Sequence, residues 1–197
     1  MKFKQVVLSM TLSMLVAATA NAGTTWLGLD GGVGFPTGEY KDAAATGWHA
    51  GVDATQSVND TWGFGGDVGF HRWGGSDDLN AATETLFGPG SEISWSAIQA
   101  TAHATANFPS QSQVKPYAKA GLGLYSVTSK LESPSGNSDA NKSKFGFNLG
   151  GGMNFQTQSN MQWGLVGAYH IIQAKDDFGA DLNFATLGLN IRWGVSR

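Results

Sequence analysis

The sequence predicts an all-β protein, an eight-stranded antiparallel up-and-down transmembrane β-barrel. Three observations predict it. The first is alternation. In the stretch Asn183 to Trp193, the residues Ala185, Leu187, Leu189, Ile191 and Trp193 share one face, and Phe184, Thr186, Gly188, Asn190 and Arg192 share the other. That period of two belongs to strands and not to helices. The second is that the continuous face is apolar while the other is mostly small or polar, so the strand does not line an ordinary hydrophobic core. The third is composition: charged residues make up 14% of the chain against about 25% in soluble proteins, which leaves a water-facing surface short of charge.

Taken in order, the chain opens with Lys2 and Lys4, an apolar run from Val6 to Ala18, and Ala20-Asn21-Ala22 before Gly23. These are the charged, apolar and small-residue parts of a secretory signal peptide. Cleavage is expected after Ala22, giving residues 1–22 as signal and 23–197 as one barrel domain of the outer membrane. Cleavage also removes two lysines and makes the formal charge of −3 more negative, which disfavours nucleic acid as a partner. There are no cysteines, so neither a disulfide framework nor thiol chemistry is expected. No later apolar run approaches the roughly 20 residues of a membrane helix.

Eight stretches carry the alternation: Trp26 to Phe35, Gly47 to Val58, Trp62 to Trp73, Ile93 to Phe108, Pro116 to Thr128, Phe145 to Phe155, Gln162 to Ile172 and Phe184 to Trp193. Each is long enough to cross a bilayer as a tilted strand of ~9–11 residues. The connections after the second, fourth and sixth are short, around Asn59-Asp60, Ser110-Gln111-Ser112 and Thr157 to Asn160. Those at Pro36 to Thr46, Gly74 to Glu92, Ser129 to Lys144 and Gln173 to Leu182 are long. Short periplasmic turns, long extracellular loops and an even strand count are the pattern of an outer-membrane barrel with both termini inside. Direction then places Val58, Trp62, Phe108, Phe155, Trp163 and Trp193 outward near the short turns, and Phe35, Trp48, Phe70 and Phe145 outward at the other end. All but Val58 are aromatic, and they form the two girdles of a membrane barrel. A soluble lipocalin-like ligand-binding barrel, apolar face inward, is the alternative architecture, and it leaves the girdles without a cause.

With Trp26-Leu27-Gly28-Leu29, Gly63 to Gly69, Lys115-Pro116-Tyr117, Ala120 to Gly123, Phe145 to Asn148 and the last strand in view, the chain resembles the outer membrane protein β-barrel family, small eight-stranded porin-like proteins similar in plan to the OmpA transmembrane domain and OmpX. The resemblance implies an integral, monomeric envelope protein folded by the barrel-assembly machinery. Thr186, Gly188, Ile191 and Trp193 fit the assembly signal which that machinery reads. Gly194-Val195-Ser196-Arg197 stands where the family commonly ends on an aromatic residue.

Register is readable in the second hairpin. Outward Val58 should face outward Trp62, because directly opposed residues share a face, which sets Asp53 opposite Asp67 and His49 opposite His71. All four point inward, as do Asp30, Lys119 and Arg192. Two opposed carboxylates in a confined interior require either a proton or a cation between them. The expectation is a filled, hydrogen-bonded interior; a narrow ion-conducting pore, or a metal on His49, His71 and Asp67, is the alternative. No cofactor is expected.

Some small barrels of this plan act on lipid A through a His-x-Ser pair, which the resemblance raises as a further possibility. Here the second residues after the four histidines are Gly51, Trp73, Thr105 and Ile172, so catalysis is not expected. The long loops carry Glu39, Asp42, Asp77, Asp78, Asp176, Asp177 and Asp181, with Arg72, Lys144 and Lys175 near the outer rim. Those three basic residues are expected to meet lipopolysaccharide phosphates. The functional expectation is a structural or interaction role at the cell envelope.

Overall fold

A computed structural model describes residues 23–158, 160–179 and 181–195; the expected signal peptide and the last two residues lie outside them. Eight antiparallel strands close into one barrel in sequence order: β1 Thr25–Thr37, β2 Gly47–Ser57, β3 Trp62–Gly74, β4 Glu92–Asn107, β5 Val114–Glu132, β6 Ser138–Gln158, β7 Met161–Ile172 and β8 Asn183–Val195. Closure is made by β8 against β1, paired continuously from Thr25↔Val195 to Thr37↔Asn183. No strand edge is therefore left along the wall. In β2 and β3 the register is the expected one, with His49↔His71 and Asp53↔Asp67.

The faces are those of a membrane barrel and the reverse of a lipocalin, which removes the soluble alternative. Leu27, Leu29, Val52, Phe64, Leu122, Leu149, Leu187 and Leu189 all point away from the barrel and are exposed. Trp62, Phe108, Trp163 and Trp193 ring the short-turn end, and Phe35, Trp48 and Phe145 ring the other. Within these rings Phe155 stacks on Trp163 at 4.5 Å and Trp48 leans on Phe70 at 5.4 Å.

Two expectations about the long connections are corrected. Ser129 to Lys144 is not a loop: β5 and β6 continue to pair out to Leu131↔Ser138. Beyond the girdle both faces of that hairpin meet water, so no apolar face is selected and the period-two pattern vanishes from the sequence. Gly74 to Glu92 contains a helix, α1 (Asp77–Phe87), whose first turn is capped by the Ser76 hydroxyl accepting from the Leu79 amide at 3.3 Å. Asp77 and Asp78 favour the same helix end. The other two long connections hold a 3₁₀ turn (Gly38–Asp42) and the one-turn helix α2 (Lys175–Phe178).

Candidate functional site

The most densely hydrogen-bonded polar side chains inside the wall form one belt around Asp67. Asp67, 5% exposed, accepts from Gln99 Nε2 at 2.5 Å, Thr101 Oγ1 at 2.8 Å, His103 Nδ1 at 3.0 Å and Lys119 Nζ at 3.3 Å. Three of those donors alternate along β4, one on every second residue, as inward positions must. The bonds fix protonation locally. Because Gln99 donates its amide N–H to Asp67, its carbonyl accepts from His71 Nε2 at 2.9 Å, which leaves His71 Nδ1 as a buried acceptor with no partner.

Each of the opposed carboxylates has a cation of its own. Arg192 donates to Asp53 Oδ2 and Thr55 Oγ1, each at 2.7 Å, while Lys119 serves Asp67. Gly28 makes the first contact possible. It is the β1 residue paired with Asp53 on one side and Arg192 on the other, and a Cβ there would lie 2.0 Å from Asp53 Oδ1. Thr55 also meets His103 Nε2 at 2.9 Å, so the two ion pairs form one network. Asp30 sits apart on His49 Nδ1 at 3.3 Å.

The metal alternative does not assemble. Both Asp67 oxygens are committed to four donors, and among the described residues no three His, Asp or Glu side chains could hold an ion. Nor does any histidine face lipid: His49, His71, His103 and His170 are all buried inside, so His103-Ala104-Thr105 cannot meet an outer-leaflet acyl chain.

Above the belt the filling is largely aromatic, which the expectation of a polar filling did not include. His170 stacks on Phe184 at 4.4 Å, Phe184 meets Trp73 at 4.6 Å, and Tyr40 from the first connection packs edge-on against Trp73 and Trp95. Trp73 and Phe184 are essentially fully buried. His170, Gln99 and Tyr125, whose hydroxyl meets His170 Nδ1 at 3.0 Å, are among the interior residues that the sequence reading did not single out. Parity with His103 on β4 marks Gln99, parity with Lys119 on β5 marks Tyr125, and alternation with outward Trp163 on β7 marks His170. Between the roof and Arg192 lie voids of about 40 and 20 Å³, room for a few waters.

The outer rim separates the three basic residues. Arg72 is exposed on β3, on the side of Lys130 and Glu132. Lys144 on β6 and Lys142 both reach Asp177 of α2, Lys142 at 3.2 Å, and Lys175 is exposed on the same short helix. Hydrogen bonds from Lys144 and Lys142 hold the Asp177 carboxyl below its usual range. Of the terminal-strand signal, Ile191 and Trp193 face lipid and Thr186 is buried inside. A Cβ on Gly188 would come within 2.4 Å of the Gly31 carbonyl across the closing seam.

The model of the outer membrane protein beta-barrel domain matches residues 8–194. The chain belongs to that family. Among solved structures it is similar to Neisserial surface protein A, with TM-score 0.59 and 18% identity over 86% of this chain and 96% of that one. It is also similar to Ail of Yersinia pestis in complex with the heparin analogue sucrose octasulfate, at 0.56 and 17% over 89% and 100%. A major outer membrane protein of Thermus thermophilus gives 0.57 and 10% over 87% and 99%. At these identities the likeness is one of fold. No curated protein matches the chain. The family places this barrel in the outer membrane.

Proposed function

We propose that this barrel is a monomeric, non-catalytic anchor that presents a projecting β-sheet for interactions at the surface of the cell envelope. One observation carries the reading. β6 pairs with β5 out to Ser138 but leaves β7 after Gly146↔Ile172, so residues 138–145 stand beyond the wall with one edge unpaired by strand. At about 3.3 Å per residue that edge is roughly 25 Å long. An exposed edge accepts another strand through its backbone, and Lys142 and Lys144 along it favour an acidic partner. Nearer the bilayer, Arg72, Lys144 and Lys175 serve the lipopolysaccharide phosphates, Lys144 by exchanging Asp177 for phosphate.

Export through the signal peptide and insertion by the barrel-assembly machinery, reading Thr186 to Trp193, belong to the same proposal. Shortening the hairpin at residues 131–138 should leave the barrel folded, shown by its faster migration on unboiled gels, and should abolish capture of surface partners by whole cells. Neutralising Arg72, Lys144 and Lys175 together should lower co-purified lipopolysaccharide and raise envelope permeability. If neither measurement moved, both contacts would have to be given up.

A further inference from the structure

The interior that is sealed above by rings is open below. At the short-turn end lies a vestibule of about 690 Å³, within the ~300–1,000 Å³ range of small-molecule sites. Its floor is Arg192, and the voids above it are too small to pass a solute. Most of the side chains that line it carry an amide or a hydroxyl, among them Asn107, Asn154, Gln162 and Ser57. The ring of Trp26 also lines it, lying against Gly194, where a Cβ would come within 3.2 Å of the ring.

We infer that this vestibule is a binding site for an uncharged saccharide of one or two rings. Charge decides against an ionic ligand. Arg192 is already neutralised by Asp53 at 2.7 Å, and the remaining charged side chains of the lining, Asp60 and Lys115, cancel. A peptide would require apolar subsites, and the apolar members are Trp26 and the Phe108-Pro109 turn. Paired donors and acceptors beside one flat aromatic face suit a sugar, whose hydroxyls both give and accept while its ring C–H face lies on the indole. The closed floor makes this binding without passage. The inference rests on the short turns facing the periplasm only for where the sugar comes from; the site itself stands in either orientation.

The absence of cysteine makes the test direct. Ser57→Cys places one thiol in the vestibule and Ser133→Cys one in the projecting hairpin. The purified protein in nanodiscs is labelled with a maleimide, with and without millimolar N,N′-diacetylchitobiose. The sugar should slow labelling severalfold at position 57 and leave position 133 unchanged. Adding Trp26→Leu to Ser57→Cys should weaken the protection by about tenfold, the loss of one stacked ring. Each variant is scored only when it keeps the folded gel mobility, and Asn107→Trp, which fills the vestibule, serves if Trp26→Leu does not fold. Equal labelling with and without sugar at position 57, or equal slowing at both positions, overturns the site. The envelope-interaction reading would survive either result, because it depends on the opposite end of the barrel.

Discussion

Replacing Asp67 with Asn changes one oxygen for an N–H and removes one charge from the centre of the belt. The consequences follow from its four donors. Gln99 and Thr101 both reach Oδ1, so an Asn carbonyl placed there keeps those two bonds. His103 and Lys119 both reach Oδ2, where the new amide would point N–H groups at two donors. Lys119 then loses a counter-charge 3.3 Å away, an attraction of about 5 kcal/mol at an effective dielectric near 20. Breaking one side of a buried pair costs ~3–5 kcal/mol, so Asp67→Asn should lower the unfolding free energy by about that amount. The assay is urea unfolding in lipid vesicles, read by tryptophan fluorescence and by gel mobility. Adding Lys119→Met should restore most of the loss, because an apolar replacement of both partners is often neutral. A loss below about 1 kcal/mol, or a double variant no better than Asp67→Asn alone, would show that the network does not hold the interior together.

Gly28→Val should break the Asp53–Arg192 pair by filling the gap between them, and a drop of ~2–4 kcal/mol in the same assay checks it; Gly31→Ala, whose Cβ would be 3.4 Å from its nearest neighbour, should cost much less. In planar bilayers the wild type should give no steady conductance, and Trp73→Ala with Phe184→Ala should admit current; a conducting wild type would refute the sealed roof. At the rim, the lowered Asp177 pKa stabilises the α2–β6 contact above the ordinary carboxylate value of about 3.9. That contribution is lost only as pH falls through the lower folded value. Lys144→Ala should move the Asp177 carboxyl titration, followed by NMR, back up toward the ordinary value, and an unmoved midpoint would deny the contact.

Most of the wall was legible because a membrane barrel writes its faces into alternate residues. The register of β2 on β3 followed from one outward pair across a short turn. The projecting hairpin was not legible, since water on both faces removes the contrast on which alternation depends. The aromatic roof was half legible: parity put Phe184 on the inner face, but the sequence could not say that Trp73, Trp95 and Tyr40 would meet it there. Those contacts join the first connection to strands three, four and eight, and they exist only once the sheet has curled shut. The same holds for Asp53 and Arg192, which are separated by most of the chain and meet across a glycine.

That non-local belt also explains what selects one register for the wall. A slip of one residue turns lipid-facing leucines inward and is forbidden at once. A slip of two keeps every apolar residue in lipid and every polar residue inside, so the lipid face cannot oppose it. The interior can. Moving β8 by two residues against β1 would set Asn190 or Gly194, in place of Arg192, beside Gly28 and Asp53, leaving a buried carboxylate without its cation. The gap at Gly28, the two ion pairs and the four donors on Asp67 therefore fix the shear that the lipid face leaves free. On this argument the belt is a device of specificity first and of stability second. Its variants should be distinguished less by membrane insertion than by heterogeneous folded forms on an unboiled gel.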